Sequence, residues 1–163
     1  MTASTKSAPV CAPLTSQHAS SLASFFARLR EAGDEKFFHP HPLTDNEAAA
    51  RAGYSGKDFY CVMLQDNNVI GYGMLRGWDE GYAIPSLGIA LDSSVRGRGY
   101  GTVLMNFLHD TAKQRGAAKV RLKVDSQNHS AIELYRSFGY IFEPESDQEL
   151  IGFLDLKRSG KNA

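Results

Sequence analysis

The chain predicts an α/β fold, a mixed sheet with helices on both faces, and three observations carry that expectation. Short apolar stretches with strand-like alternation recur between stretches of helical spacing. A hairpin meander over 58–91 is followed by two strand-to-helix units, an order that suits one mixed sheet rather than a bundle or a sandwich. The chain's 163 residues, 42% hydrophobic and 22% charged, fit one ordinary globular core.

Each element has its own local signal. Residues 1–8 are small and polar and read as a mobile tail, the domain is expected over 9–157, and 158–163 form a polar tail. Pro9 to Leu14 suit a first strand. Ser16 to Gly33 has helical spacing, with Leu22, Phe25, Phe26 and Leu29 on one face and Gly33 as the stop. A loop follows, containing Phe37-Phe38-His39-Pro40-His41-Pro42. Thr44 and Glu47 have the spacing of a capping box, so Thr44 to Ala52 reads as a second helix closed by Gly53. Asp58 to Leu64 and Val69 to Leu75 flank Gln65-Asp66-Asn67-Asn68, a hairpin signal.

Trp78 to Tyr82 is a loop before a fourth strand, Ser86 to Leu91. The helix Thr102 to Arg115 is expected to bury Val103, Leu104, Phe107, Leu108 and Thr111, and to end at Gly116. Lys119 to Val124 alternates polar and apolar residues, as a half-buried strand does. A fourth helix over Ser130 to Ser137 and strands Tyr140 to Glu143 and Glu149 to Asp155 complete the order.

Composition excludes several classes. Lys plus Arg equals Asp plus Glu at 18 each, so no global field favours nucleic acid or an anionic membrane. No run approaches the ~18 apolar residues of a membrane span, and Met1 to Pro13 holds no hydrophobic export segment, so the expected location is cytoplasmic. Two cysteines, Cys11 and Cys61, are too few for a disulfide framework or a zinc site, and no metal is expected. Cys61 reads as a small core residue.

Arg96-Gly97-Arg98-Gly99-Tyr100-Gly101 joins the fourth strand to a helix. Such a turn offers an anion several backbone N–H groups and a favourable helix end. A P-loop would need Gly-Lys-Ser/Thr, and Gly101 is followed by Thr102 and Val103. A dinucleotide fingerprint would need an acid about twenty residues on, where Arg121 and Lys123 stand. The template Arg/Gln-x-x-Gly-x-Gly/Ala fits Arg96, Gly99 and Gly101. A plain strand-to-helix turn that tolerates glycine is the competing reading.

One helix and one strand later comes Asn128-His-Ser-Ala131-Ile-Glu-Leu134-Tyr135-Arg-Ser-Phe138-Gly139-Tyr140. With both motifs in this order, the chain resembles the GNAT superfamily of acyl-CoA N-acyltransferases over about Phe59 to Phe142. The resemblance implies a mostly antiparallel sheet in which strands four and five are parallel but splay apart. It implies acetyl-CoA as co-substrate, its pantetheine arm pairing with the backbone of Ile89, Ala90 and Leu91. The pyrophosphate would meet N–H groups of Arg96, Gly97, Arg98, Gly99, Tyr100, Gly101 and Thr102, with the Arg96 and Arg98 side chains facing the phosphates. Asn128 would touch the cofactor arm and cap the fourth helix, although Ser130 with Glu133 forms a rival capping box. Tyr135 would be the general acid that protonates the leaving thiolate. Spacing alone favours a core tyrosine, with Ala131, Leu134 and Phe138 around it, and the complete motif reverses that order.

The base is left open. Relatives often carry an acid on strand four, whereas Ser86 to Leu91 contains none. His39 and His41, Asp79 or Glu80, and bulk water are the alternatives, the first four doubling as acceptor contacts. Phe37, Phe38, Trp78 and Tyr82 beside Asp79 and Glu80 suit a small cationic or sugar-like amine, and the 143–148 connection is a second expected acceptor wall. The Phe38-His-Pro-His-Pro and Pro85-Ser-Leu-Gly-Ile stretches resemble relatives that acetylate amino sugars. The expected partner is therefore a small-molecule amine, with no nucleic acid or membrane, and room is left for a homodimer. A catalytically silent acyl-CoA sensor and a protein N-terminal or lysine acetyltransferase are the alternative functions.

Overall fold

The architecture comes from a computed structural model that describes residues 7–156. The predicted tails fall largely outside the described residues. Ser7, assigned to the first of them, hydrogen-bonds Asp66 through its hydroxyl at 2.5 Å, and its carbonyl accepts from Gln65 Nε2 at 3.0 Å.

The strands are β1 (Val10–Pro13), β2 (Phe59–Gln65), β3 (Asn68–Arg76), β4 (Ser86–Leu91), β5 (Lys119–Asp125), β6 (Ile141–Pro144) and β7 (Glu149–Asp155). The helices are α1 (Ala19–Glu31), α2 (Asp45–Ala52), α3 (Tyr100–Gln114) and α4 (His129–Ser137). One sheet runs in the order β1-β2-β3-β4-β5-β7-β6. Its neighbours are antiparallel except β4 and β5, which are parallel.

Both faces of the sheet are covered. Leu22, Phe25, Phe26 and Leu29 of α1 pack with Val62, Tyr72 and Met74 on one face. Leu104, Met105 and Leu108 of α3 pack with Cys61, Leu75 and Leu122 on the other. The β2–β3 turn has φ of 53° at Asp66 and 69° at Asn67. Positive φ at both central residues is the twist that a two-residue hairpin requires, and Asp and Asn tolerate it.

Three local expectations need correction. The buried face of α3 is Leu104, Met105, Leu108, His109 and Ala112, while Val103 is 42% exposed. Helical spacing fixes the width of an apolar stripe but not its centre when apolar residues sit on both sides of it. The predicted box at α2 is half formed: Thr44 Oγ1 accepts from the Glu47 N–H at 3.1 Å, but the Glu47 carboxylate turns to Arg51 at 3.1 Å. The first helix opens with a separate 3-10 turn over Ser16–His18, where Thr15 and His18 close a capping box of their own.

The sheet opens at its centre. β5 and β7 pair along seven positions from Lys119↔Asp155 to Asp125↔Glu149, whereas β4 and β5 share the single register pair Ser86↔Arg121. Beyond it the two strands diverge. The β4–α3 turn at the open end is bolted to α1. The Asp92 carboxylate accepts from Arg28 Nε at 2.5 Å and from the Ser94 N–H and hydroxyl at 3.1 Å each. Burial raises the Asp92 pKa, but these hydrogen bonds and the Arg28 charge outweigh it and hold the carboxyl below its ordinary value.

Candidate active site

The turn after β4 exposes a row of unused donors. Among the described residues, no acceptor takes a hydrogen bond from the N–H groups of Gly97 to Thr102, and the first such bond in α3 is Val103 N–H to Gly99 O at 3.4 Å. Gly97 and Gly99 have φ of 78° and 82°, a left-handed conformation that directs successive amides to one side. Gly101 permits a close approach: a Cβ there would lie 3.0 Å from Leu134 Cδ2, so a side chain would push α3 away from α4. Charge-assisted hydrogen bonds contribute roughly 1.5–3 kcal/mol each, against about 0.3–1 for a helix dipole. The row is therefore chemically suited to an oxyanion with several acceptor oxygens, such as a diphosphate.

From that turn a cavity of about 390 Å³ runs into the gap between β4 and β5. Ile89, Ala90 and Leu91 form one wall, Asn128, Leu134 and Tyr135 the other, and Gly97, Gly99, Gly101 and Thr102 the mouth. Asn128 Oδ1 accepts from the Ala131 N–H at 3.4 Å, so Asn128, and not Ser130, caps α4. Tyr135 is 7% exposed, and burial pushes its phenol up to about 12. It is thus both a core residue, ring to ring with Tyr140, and a lining residue of the gap.

Some predicted cofactor contacts have further partners. Arg96 lines the first cavity, and its guanidinium pairs with Asp34 and donates to Leu91 O, both at 2.8 Å, so it also fastens the turn to the segment after α1. Arg98 is exposed and does not line the gap. The Tyr100 hydroxyl accepts from Gln65 Nε2 at 3.0 Å, on the β2 side. The backbones of all three remain in the turn; the side chains of Arg96 and Tyr100 have other partners.

A second cavity, about 380 Å³, adjoins the first and shares Phe37, Phe38, Leu87, Gly88 and Lys123 with it. His39, Glu80 and Tyr82 line this second cavity. His41 does not. Its Nε2 shares a 2.8 Å hydrogen bond with the Tyr72 hydroxyl, its ring packs on Phe26, and burial lowers its pKa. Asp79 is also withdrawn, its carboxylate accepting from the Tyr54 hydroxyl and from the Lys57 N–H. Trp78 does not line the second cavity either, and its ring lies under the Arg115 guanidinium at 4.9 Å. Of the 143–148 connection nothing reaches the cavity, although Glu149 just beyond it does.

The charged floor of the second cavity was missed. Arg76, Arg121, Asp125 and Glu149 line it beside Lys123, so the wall is mixed in charge and not simply acidic. A usable signal existed: Arg121, Lys123 and Asp125 alternate along β5, and a polar face opposite an aromatic loop can be a site as well as a solvated surface.

Comparison with known proteins agrees with this geometry. Residues 25–140 match the Acetyltransferase (GNAT) family, and the chain belongs to it. Streptothricin acetyltransferase of Streptomyces lavendulae is 29% identical over 109 residues, 66% of this chain and 57% of that protein. An uncharacterized N-acetyltransferase of Methanocaldococcus jannaschii is 44% identical over 52 residues, 32% of this chain and 23% of that one. The chain thus spans about half the length, or less, of the curated relatives it matches. Among solved structures, the GNAT domain of S. lividans PAT superposes with a TM-score of 0.76 at 18% identity, covering 89% of each chain. The ribosomal-protein-S18-alanine N-acetyltransferase from Escherichia coli gives 0.71 at 20% identity, covering 96% of this chain and 99% of that one. These structures share the fold. No helix among the described residues is long and apolar enough to cross a membrane.

Proposed function

We propose that the chain transfers an acetyl group from acetyl-CoA directly to a primary amine of a small molecule, amino sugars being one class to test. The observation that carries this reading is the continuous passage from the free amides at Gly97–Thr102, along β4, to Tyr135 and onward through Gly88 into the second cavity. The amides hold the diphosphate, and the unpaired edge of β4 over Ile89, Ala90 and Leu91 takes the pantetheine arm. Phe37, Phe38 and Gly88 then border the place where thioester and amine meet.

Holding both reactants in line recovers roughly 7–11 kcal/mol of barrier, more than the 10²–10⁴-fold typical of a positioned acid or base. The amine nitrogen bonds to the acetyl carbon, the carbon–sulfur bond breaks, and the amine's surplus proton leaves through water in the second cavity. His39 and Glu80 border that water. Tyr135 donates to the departing sulfur. A phenol near 12 is a weaker acid than a free thiol at about 8.5. The dry gap that raises the phenol also disfavours the thiolate, which narrows the difference.

Thiol release from acetyl-CoA over an amine panel tests the reading. The panel holds streptothricin, glucosamine and a peptide with N-terminal alanine, acceptors suggested by the relatives and by the sequence. Saturable acetyl-CoA binding with thiol release on a small amine supports it. Binding without release from any of these, or from α-amino acids and phosphoethanolamine, identifies a silent sensor, and release on the peptide alone identifies a protein acetyltransferase.

A further inference from the structure

One end of the second cavity holds two arginines that form no ion pair with a described residue. Arg76 of β3 stands opposite Ser86 of β4, and Ser86 stands opposite Arg121 of β5. Residues directly opposite in a sheet project from the same face, so the two arginines flank a serine across three strands, their Cα atoms about 10 Å apart at ordinary strand spacing. All three line the cavity. Neither arginine forms an ion pair with a described residue: the ion pairs are Arg28–Asp92, Arg51–Glu47, Arg96–Asp34 and Lys123–Glu145. Arg76 spends one donor on Pro40 O at 3.1 Å, which fixes it beneath the loop after α1.

Two of the cavity's three acids lie at the far end, and the third, Glu80, follows Arg76 by four residues and forms no ion pair with a described residue. Asp125 and Glu149 are register partners, four residues along β5 from Arg121, or about 13 Å. Lys123, between Arg121 and Asp125 on β5, pairs with Glu145 at 3.3 Å. The cationic row is closer to the chemistry, because Ser86 is two residues, about 7 Å, from Gly88, where the two cavities meet.

Resting on the acetyl-transfer reading above, we propose that the acceptor is a small amine carrying an anionic oxygen group, carboxylate or phosphate, bound by Arg76, Ser86 and Arg121. Two guanidinium forks and a hydroxyl present a donor surface that an oxyanion matches and a polycationic amine does not. The anion end anchors the acceptor, and its amine, a few bonds away, reaches the thioester at Gly88. This differs from the small cationic or sugar-like amine expected from Asp79, Glu80 and the aromatic residues.

The test is steady-state thiol release with matched pairs that differ in the anion alone. α-Amino acids are set against their carboxamides, and phosphoethanolamine against ethanolamine. The expected result is a kcat/KM preference of about tenfold or more for the anionic member of one pair, the size of a lost charge-assisted hydrogen bond. The pair that shows it distinguishes carboxylate from phosphate. Arg121→Gln should bring that ratio towards one through KM, and Arg121→Lys should restore part of it. An unchanged acetyl-CoA Kd certifies that each variant is folded, and Arg76→Gln supplies a second variant. Neutral members accepted as well as anionic ones, or a preference that survives both glutamine variants, overturns the proposal while leaving acetyl transfer intact. Absence of thiol release with every amine overturns the acetyl-transfer reading and this one together.

Discussion

Acidification should expose a buried histidine. His109 of α3 is 6% exposed, shares a 2.8 Å hydrogen bond with the Tyr140 hydroxyl, and has Phe138 against its ring. Burial first, and then the Lys113 charge, lower its pKa from 6.5 to about 4. A base that protonates more readily in the unfolded chain gives stability that rises with pH wherever the unfolded state binds more protons. The contribution is therefore complete above 6.5, declines as pH falls towards 4, and is gone below that. The gap corresponds to roughly 3 kcal/mol, a large share of the 5–15 that typically holds a domain together.

Urea unfolding at a series of pH values from about 7.5 to about 4 measures this for the native chain and for His109→Leu/Tyr140→Phe. The double variant removes both polar partners, so no buried group is left unsatisfied. The native chain should lose roughly 3 kcal/mol more than the variant over that range, with the variant's remaining slope coming from His41, whose pKa burial also lowers, and near the acid end from carboxylates such as Asp92. Parallel curves would refute the assignment, because the histidine would then bind protons equally in both states.

Other perturbations have definite outcomes. Tyr135→Phe should lower kcat by about 10²–10⁴-fold while acetyl-CoA Kd stays within about twofold; an unchanged kcat would remove Tyr135 from proton donation. Gly99→Ala should cost about 1–2 kcal/mol in thermal or chemical unfolding, because φ is 82° there, and should weaken acetyl-CoA binding measured by calorimetry. Asp92→Ala should destabilise by roughly 2–3 kcal/mol by releasing Arg28 and Ser94, and should raise acetyl-CoA Kd through the loosened turn. His39→Ala should raise acceptor KM, whereas His41→Ala should lower the melting temperature with no selective effect on acceptor KM. The reverse pattern would exchange their roles.

Local chemistry made most of the fold legible before any tertiary information. The hairpin at Asp66-Asn67, the alternation of β5, and the left-handed stop at Gly33 are consequences of neighbouring residues, and each stands where the sequence indicates. The glycine turn was legible for the same reason, since amide directions at Gly97 and Gly99 follow from φ alone. The rotation of α3 was not, because Val103 and Met105 are both apolar and only the packed sheet chooses between them.

The site divided along the same line. Backbone donors, the cap at Asn128 and the position of Tyr135 on α4 belong to contiguous motifs. The fate of side chains did not: Arg96 finds Asp34 62 residues away, and His41 finds Tyr72 31 away. Those partners decide that Arg96 ties a loop and that His39, not His41, faces the second cavity. The row of Arg76, Ser86 and Arg121 exists solely through strand register. Sequence by itself determined the backbone turn and the order of elements, since both arise from short-range sterics and hydrophobic period. Tertiary structure alone decided which charges meet, since that depends on strands distant in the chain lying about 5 Å apart in the sheet.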